Sequence, residues 1–203
     1  MLFVDETKQI IDIMLLKGKA QQMSVGEALG FWYKASLIPA ILAAIVAGIL
    51  ILVGASVVSG LLGPLGSVLG GIGAAVVIVG IFVSVWIITP IAMIIGAAIL
   101  HFFGKTLLRQ FKNSYSATLA ATVYAELIGI FLLFITEIPV IGWIISIIVG
   151  IWSFVALLVW LARFQNTSWV MALVTIIVEV IVIVVILFVV LGAVFFSAIG
   201  HLL

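Results

Sequence analysis

The chain has 203 residues, of which 67% are apolar and 7% charged, with a net charge of +1 and a mean hydropathy of +1.59. A soluble domain is roughly a quarter charged and about half apolar, so this composition excludes a water-exposed fold and leaves an integral membrane protein. With no cysteine, disulfides, thiolate metal sites, iron–sulfur clusters and thiol catalysis are excluded as well.

Residues 1–36 are the sustained polar region and read as a cytoplasmic interfacial segment, with 37–203 as the membrane domain. Helical spacing puts Phe3, Ile10, Ile11 and Met14 on one face and Asp5, Lys8, Gln9 and Asp12 on the other, an amphipathic helix that Leu16 interrupts. The apolar stretch from Ile10 to Leu16 is short, broken by Asp12, and followed by no small-residue cleavage site, so it does not read as a secretory signal. Ser24 with Glu27 forms a capping box that starts a second helix. Phe31, Trp32 and Tyr33 then suit the headgroup level, and Pro39 the first turn of a new helix.

Spans follow at 38–59, 76–104, 117–137, 140–162 and 169–197, each long enough for the about 20 apolar residues a crossing needs. Between the first two, the stretch from Leu61 to Gly73 is rich in glycine and reads as an uncharged connection lying shallowly at the outer interface. It is not a phosphate loop, since no strand precedes it and no Lys-Ser/Thr pair follows in register. Residues 61–104 could instead hold two spans. Five spans collect all Lys and Arg (Lys8, Lys17, Lys19, Lys34, Lys105, Arg109, Lys112, Arg163) on one side, whereas six would divide them. The positive-inside rule therefore favours five, with the N-terminus cytoplasmic and the C-terminus outside. Pro90 in the second span predicts a kink, tolerable if neighbours satisfy the freed carbonyl.

Small residues recur at four-residue spacing: Ala40, Ala44 and Gly48; Ala117, Ala121, Ala125 and Gly129; Gly142, Ser146 and Gly150. Such stripes let helices approach closely in lipid. They predict an all-α, compact bundle of five transmembrane helices.

The segment Ile99-Leu100-His101-Phe102-Phe103-Gly104, Tyr124 in the next span, and Ile138-Pro139-Val140-Ile141-Gly142 followed by Trp152 resemble the Yip domain, the family of Ypt/Rab-interacting membrane proteins. The acidic-Leu-Tyr-Gly-Pro motif of the eukaryotic trafficking members is absent, and the chain is most similar to the short prokaryotic members. The resemblance implies a five-span fold and a membrane-organising or scaffolding role, without implying GTPase binding.

Glu126 and Glu179 are the residues that most need a reason to exist. Counting along their helices places them about 13 and about 16 Å below the cytoplasmic face. Each has a threonine one turn earlier, Thr122 and Thr175. A carboxyl near the bilayer centre costs about 2.5–3.5 kcal/mol on insertion scales. Two readings stand: hydrogen-bonded interhelical glue, or a proton- or cation-handling pair with His101 nearer the cytoplasm. Lys105, Arg109, Lys112, Lys17 and Lys19 form a basic surface suited to lipid headgroups.

No nucleophile motif, metal-ligand cluster or cofactor fingerprint is present, so neither catalysis nor a cofactor is expected. The expected partners are lipids and other membrane proteins or further copies of the chain, not nucleic acid. A non-catalytic scaffold leads. A small proton- or cation-coupled transporter and an accessory subunit of a larger complex are the alternatives.

Overall fold

The computed structural model describes residues 8, 10–17 and 22–200, with side chains to 193 apart from several at 58–69. All regular elements among them are helical. They are α1 (Val25–Leu62), α2 (Pro64–Val83), α3 (Thr89–His101), α4 (Tyr115–Phe131), the short α5 (Leu133–Thr136), α6 (Ile141–Phe164) and α7 (Trp169–Gly200). Two π-helical turns, Ser84–Ile88 and Phe102–Leu107, join α2 to α3 and extend α3, making one rod from Pro64 to Leu107. Four helices are long and apolar enough to cross a membrane: Val25–Val57, Gly70–Leu107, Ile141–Phe164 and Trp169–Ala193. Tyr115–Phe131 is apolar but shorter.

The Ser24–Glu27 capping box forms as expected: the Glu27 amide donates to Ser24 Oγ at 3.3 Å and the Ser24 amide to the Glu27 carboxylate at 2.8 Å. The helix it starts does not restart at Pro39. That proline lies inside α1, so the boundary expected at 36/37 falls within a continuous helix.

The glycine-rich stretch also departs from expectation. Only Gly63, at φ +61°, makes the turn between α1 and α2. Pro64 opens the next helix at a position where no N–H is needed, and the following glycines are helical. They serve packing: a Cβ on Gly70 would overlap Ala55, and one on Gly66 would meet the backbone of Ser59. The two helices thus close to backbone contact, the small-residue geometry expected in lipid.

Pro90 explains the first π-turn. It cannot donate to the carbonyl of Trp86 four residues back, and the helix widens so that the Thr89 amide reaches Ser84 O. The carbonyls left over are taken by α1: Trp32 Nε1 donates to Val85 O at 3.1 Å and Tyr33 Oη to Trp86 O at 3.2 Å. Trp32 is therefore 2% exposed, a core residue. Trp32→Phe should lower stability by about 1–3 kcal/mol, the cost of stranding a buried carbonyl. Tyr33→Phe should cost less because its site is partly exposed. In a Pro90→Ala background the Tyr33→Phe penalty should shrink, since the alanine amide at that position can itself donate to the Trp86 carbonyl. Unfolding titrations in mixed micelles measure all three, and an unchanged Tyr33→Phe penalty would show that the proline does not create the need.

The core lies where α4 meets α1, α3 and α6. Ala117, Ala121 and Ala125 are buried, as their stripe predicts, while a Cβ on Gly129 would find ordinary contact with Val149 at 3.6 Å. Tyr124 is the aromatic hub, with ring centroids 5.5 Å from Phe31 and Trp160 and 5.7 Å from Phe164.

Residues 10–14 form a helical turn whose inward side is Ile13, 1% exposed, with Ile10 and Met14 packed nearby. Ile11, expected on the apolar face, is 46% exposed. Phe3, Asp5 and Gln9 lie outside the described residues. The turn packs on the core cluster that residues of α4 and α6 help to form. Trp152 Nε1 donates to Met14 O at 3.0 Å and Arg163 Nη2 to Leu16 O at 3.1 Å, strapping it there.

Candidate functional site

Each candidate carboxyl starts from a helix position. On α4, Thr122, Ala125, Glu126 and Gly129 share the side that turns from the core toward α6. α6 answers with Ser146, Val149, Gly150, Ser153, Phe154 and Leu157. Between them runs a groove of about 390 Å³, with Thr136 at one end. Glu126 is exposed along it, and no hydrogen bond or ion pair holds its carboxyl among the described residues.

Glu179 sits on α7, which contributes no residue to this groove. Equal depth along two helices that run in the same direction gives no information on rotation about them. Thr122 does share the groove with Glu126, but its hydroxyl donates to Thr118 O at 3.1 Å. Thr175 is buried and donates to Met171 O at 2.8 Å. The third stripe also divides: Gly142 is buried against Thr136, whereas Ser146 and Gly150 line the open groove.

His101 belongs to a second constellation, at the end of the bundle that carries Lys105 and Lys112. Its Nδ1 lies 2.9 Å from Thr118 Oγ1. That oxygen also accepts from Gln165 Nε2 at 2.8 Å, and Gln165 is 0% exposed. Gln165 Nε2 further donates to Ser114 O at 3.1 Å, and its Oε1 accepts from the Asn113 amide at 3.0 Å. Asn113 Nδ2 in turn donates to Phe164 O. One side chain thus ties together the α3–α4 and α6–α7 connections. Sequence reasoning missed Gln165, Thr118 and Asn113. The available signal was weak: an amide at a helix end, between Arg163 and Asn166, which needs partners if it is buried.

Lys105, expected at lipid headgroups, instead directs Nζ to Lys112 O at 2.8 Å and Asn113 O at 3.5 Å, closing the loop after the second π-turn. Lys17, Arg109 and Lys112 are exposed at this end, and Lys19 lies outside the described residues. Lys34 departs from the charge sorting. It follows Tyr33, whose hydroxyl reaches Trp86, and the neighbouring Trp32 packs in one cluster with Val85 and Ile130, so Lys34 lies far along α1 from the basic end. Gly104 fits only as glycine, because a Cβ there would enter the ring of Phe111. Glu137, in the turn before α6, is partly buried.

No group of three or more His, Cys, Asp or Glu side chains among the described residues could hold a metal ion. Compared with protein-family models, curated proteins and solved structures, the chain matches none.

Proposed function

We propose that the chain is a five-span, Yip-like membrane protein, N-terminus cytoplasmic and C-terminus outside, with a non-catalytic role in organising neighbouring membrane proteins. The observation that carries this reading is the length of the α1–α2 hairpin. α1 has 38 residues, roughly 57 Å at 1.5 Å per residue, against a hydrocarbon core of about 30 Å. Between residues 45 and 84, the buried positions among those described are Ala47, Gly48, Gly66, Gly70 and Ala74. Gly48, Gly66 and Gly70 meet the facing helix of the hairpin, and the outward residues Val53, Val57, Ile72 and Val76 are 58–68% exposed. An apolar arm longer than the bilayer must tilt or be covered, and coverage by other membrane helices is what a scaffold supplies.

Photo-crosslinking residues placed at Val53, Val57, Ile72 and Val76 in the native membrane test this. The scaffold reading expects discrete protein adducts from the arm and lipid adducts from Ile147, on the open side of α6. Lipid adducts alone at every arm position would contradict it. A second reading, a small proton- or cation-coupled transporter, draws on Glu126 opening into its groove. It predicts flux through the purified chain in liposomes that Glu126→Gln abolishes and Glu179→Gln leaves intact.

A further inference from the structure

The oxygens around Glu126 share a chemical property that follows from how they are bonded. A hydroxyl carries one donor and two acceptor positions. Thr122 donates to Thr118 O at 3.1 Å, Thr136 to Leu133 O at 2.7 Å and Ser146 to Gly142 O at 2.7 Å. Their donors are therefore committed to the helix backbone, and lone pairs are what these three hydroxyls can offer the groove. With the Glu126 carboxyl, four of the five polar side chains of the groove offer acceptors, and the fifth, Ser153, carries a hydroxyl that can accept as well as donate. The apolar and aromatic wall comes from Val149, Phe154 and Leu157. The volume of about 390 Å³ is far larger than a bare ion needs and falls within the roughly 300–1,000 Å³ of small-molecule sites.

We propose that this groove binds a primary ammonium carried on an apolar body. The ammonium has three N–H donors and one positive charge, matching the carboxylate and two or three of the hydroxyl oxygens, and charge-assisted bonds of this kind are the strong ones. The apolar body lies along Val149, Phe154 and Leu157. Gly150 is part of the recognition because nothing lies within 4 Å of where its Cβ would be, and that space belongs to the ligand. The open side gives access from the surrounding apolar phase. The inference goes beyond the scaffold reading and does not depend on it: loss of binding would leave the crosslinking result standing, and the reverse.

The test is equilibrium binding of radiolabelled 4-phenylbutylammonium to the purified full chain in phosphatidylcholine nanodiscs, with empty discs subtracted. Saturable one-to-one binding is expected. Glu126→Gln should weaken it at least about tenfold, in line with about 1.5–3 kcal/mol for a hydrogen bond to a charged group. Gly150→Leu should fill the groove without a clash and abolish binding, while size-exclusion and circular-dichroism profiles stay native. Glu179→Gln should change nothing. Adding phosphatidylethanolamine to the discs separates the sources of the ammonium: competition assigns it to a lipid headgroup, and its absence to a free amine. Non-saturable uptake equal to empty discs, equal binding of the isosteric neutral alcohol 4-phenylbutanol, or full binding by a folded Gly150→Leu variant would each overturn the proposal.

Discussion

Gly142→Ala should prevent the α5–α6 connection from closing, at a cost of about 3 kcal/mol or more, the range reserved for named steric failures. A Cβ at this position would overlap the backbone of Thr136, which cannot move aside as a flexible side chain can. The turn is already tight: Val140 sits at φ +68°, and the Gly142 amide donates to Ile138 O at 2.6 Å. Gly150→Ala, two turns along the same face, should stay within about 0.5 kcal/mol, as unobstructed surface changes do. Unfolding in mixed micelles compares the two directly. Equal penalties would mean that the stripe acts as one packing surface, as its spacing alone suggests, and that the turn is not the reason for Gly142.

Gln165→Leu should be the most damaging change at the basic end, costing about 3 kcal/mol. It strands the Ser114 carbonyl and the Asn113 amide together, and each unsatisfied buried group costs about 1–3 kcal/mol. His101→Ala should cost less, because Thr118 keeps its bond from Gln165. Gln165→Glu retains the acceptor toward Asn113 but loses both donor bonds, so its penalty should fall between the two. Thermal unfolding of the purified variants ranks them. A Gln165→Leu protein as stable as the parent would show that the two connections hold without this amide.

What was legible in the sequence was whatever depends on local chemistry or on hydropathy summed over a whole helix. The Ser24–Glu27 box, the helices at 141–164 and from 169 onward, the buried face of α4 and the hydrogen bond lost at Pro90 all belong to that class. Pro90 shows where it ends. The missing N–H announces an orphaned carbonyl, but only the packing of α1 against the rod names Tyr33 and Trp32 as the donors. For the same reason Trp32, the middle of an aromatic triplet that suits a membrane interface, is buried in the core, while Tyr33 beside it stays exposed.

The candidate site was half legible. Glu126 and Thr122 share a face by helical periodicity alone, and they do share the groove. The pairing with Glu179 required the rotation of α7 about its own axis, which an almost uniformly apolar helix does not encode. The role of Gln165 was obscure for the opposite reason: its partners Asn113, Ser114 and Thr118 are about fifty residues away in the chain. The glycines at 66 and 70 look like helix breaks when taken alone, whereas in an apolar hairpin they mark backbone contact.

The proposed topology has five spans and its basic end in the cytoplasm, and single-cysteine labelling measures it most directly. The natural sequence has no cysteine, so each introduced thiol reports alone. Lys112→Cys and Ser168→Cys lie in exposed positions of the two connections at the basic end; Pro139→Cys and Trp143→Cys lie exposed at the opposite turn. In intact cells, a membrane-impermeant maleimide should label 139 and 143, and should reach 112 and 168 only after the membrane is opened. Labelling of 112 and 168 from outside, with 139 and 143 protected, would contradict the orientation. Labelling of 112 and 139 from the same side would contradict the crossing of α4, and with it the five-span count.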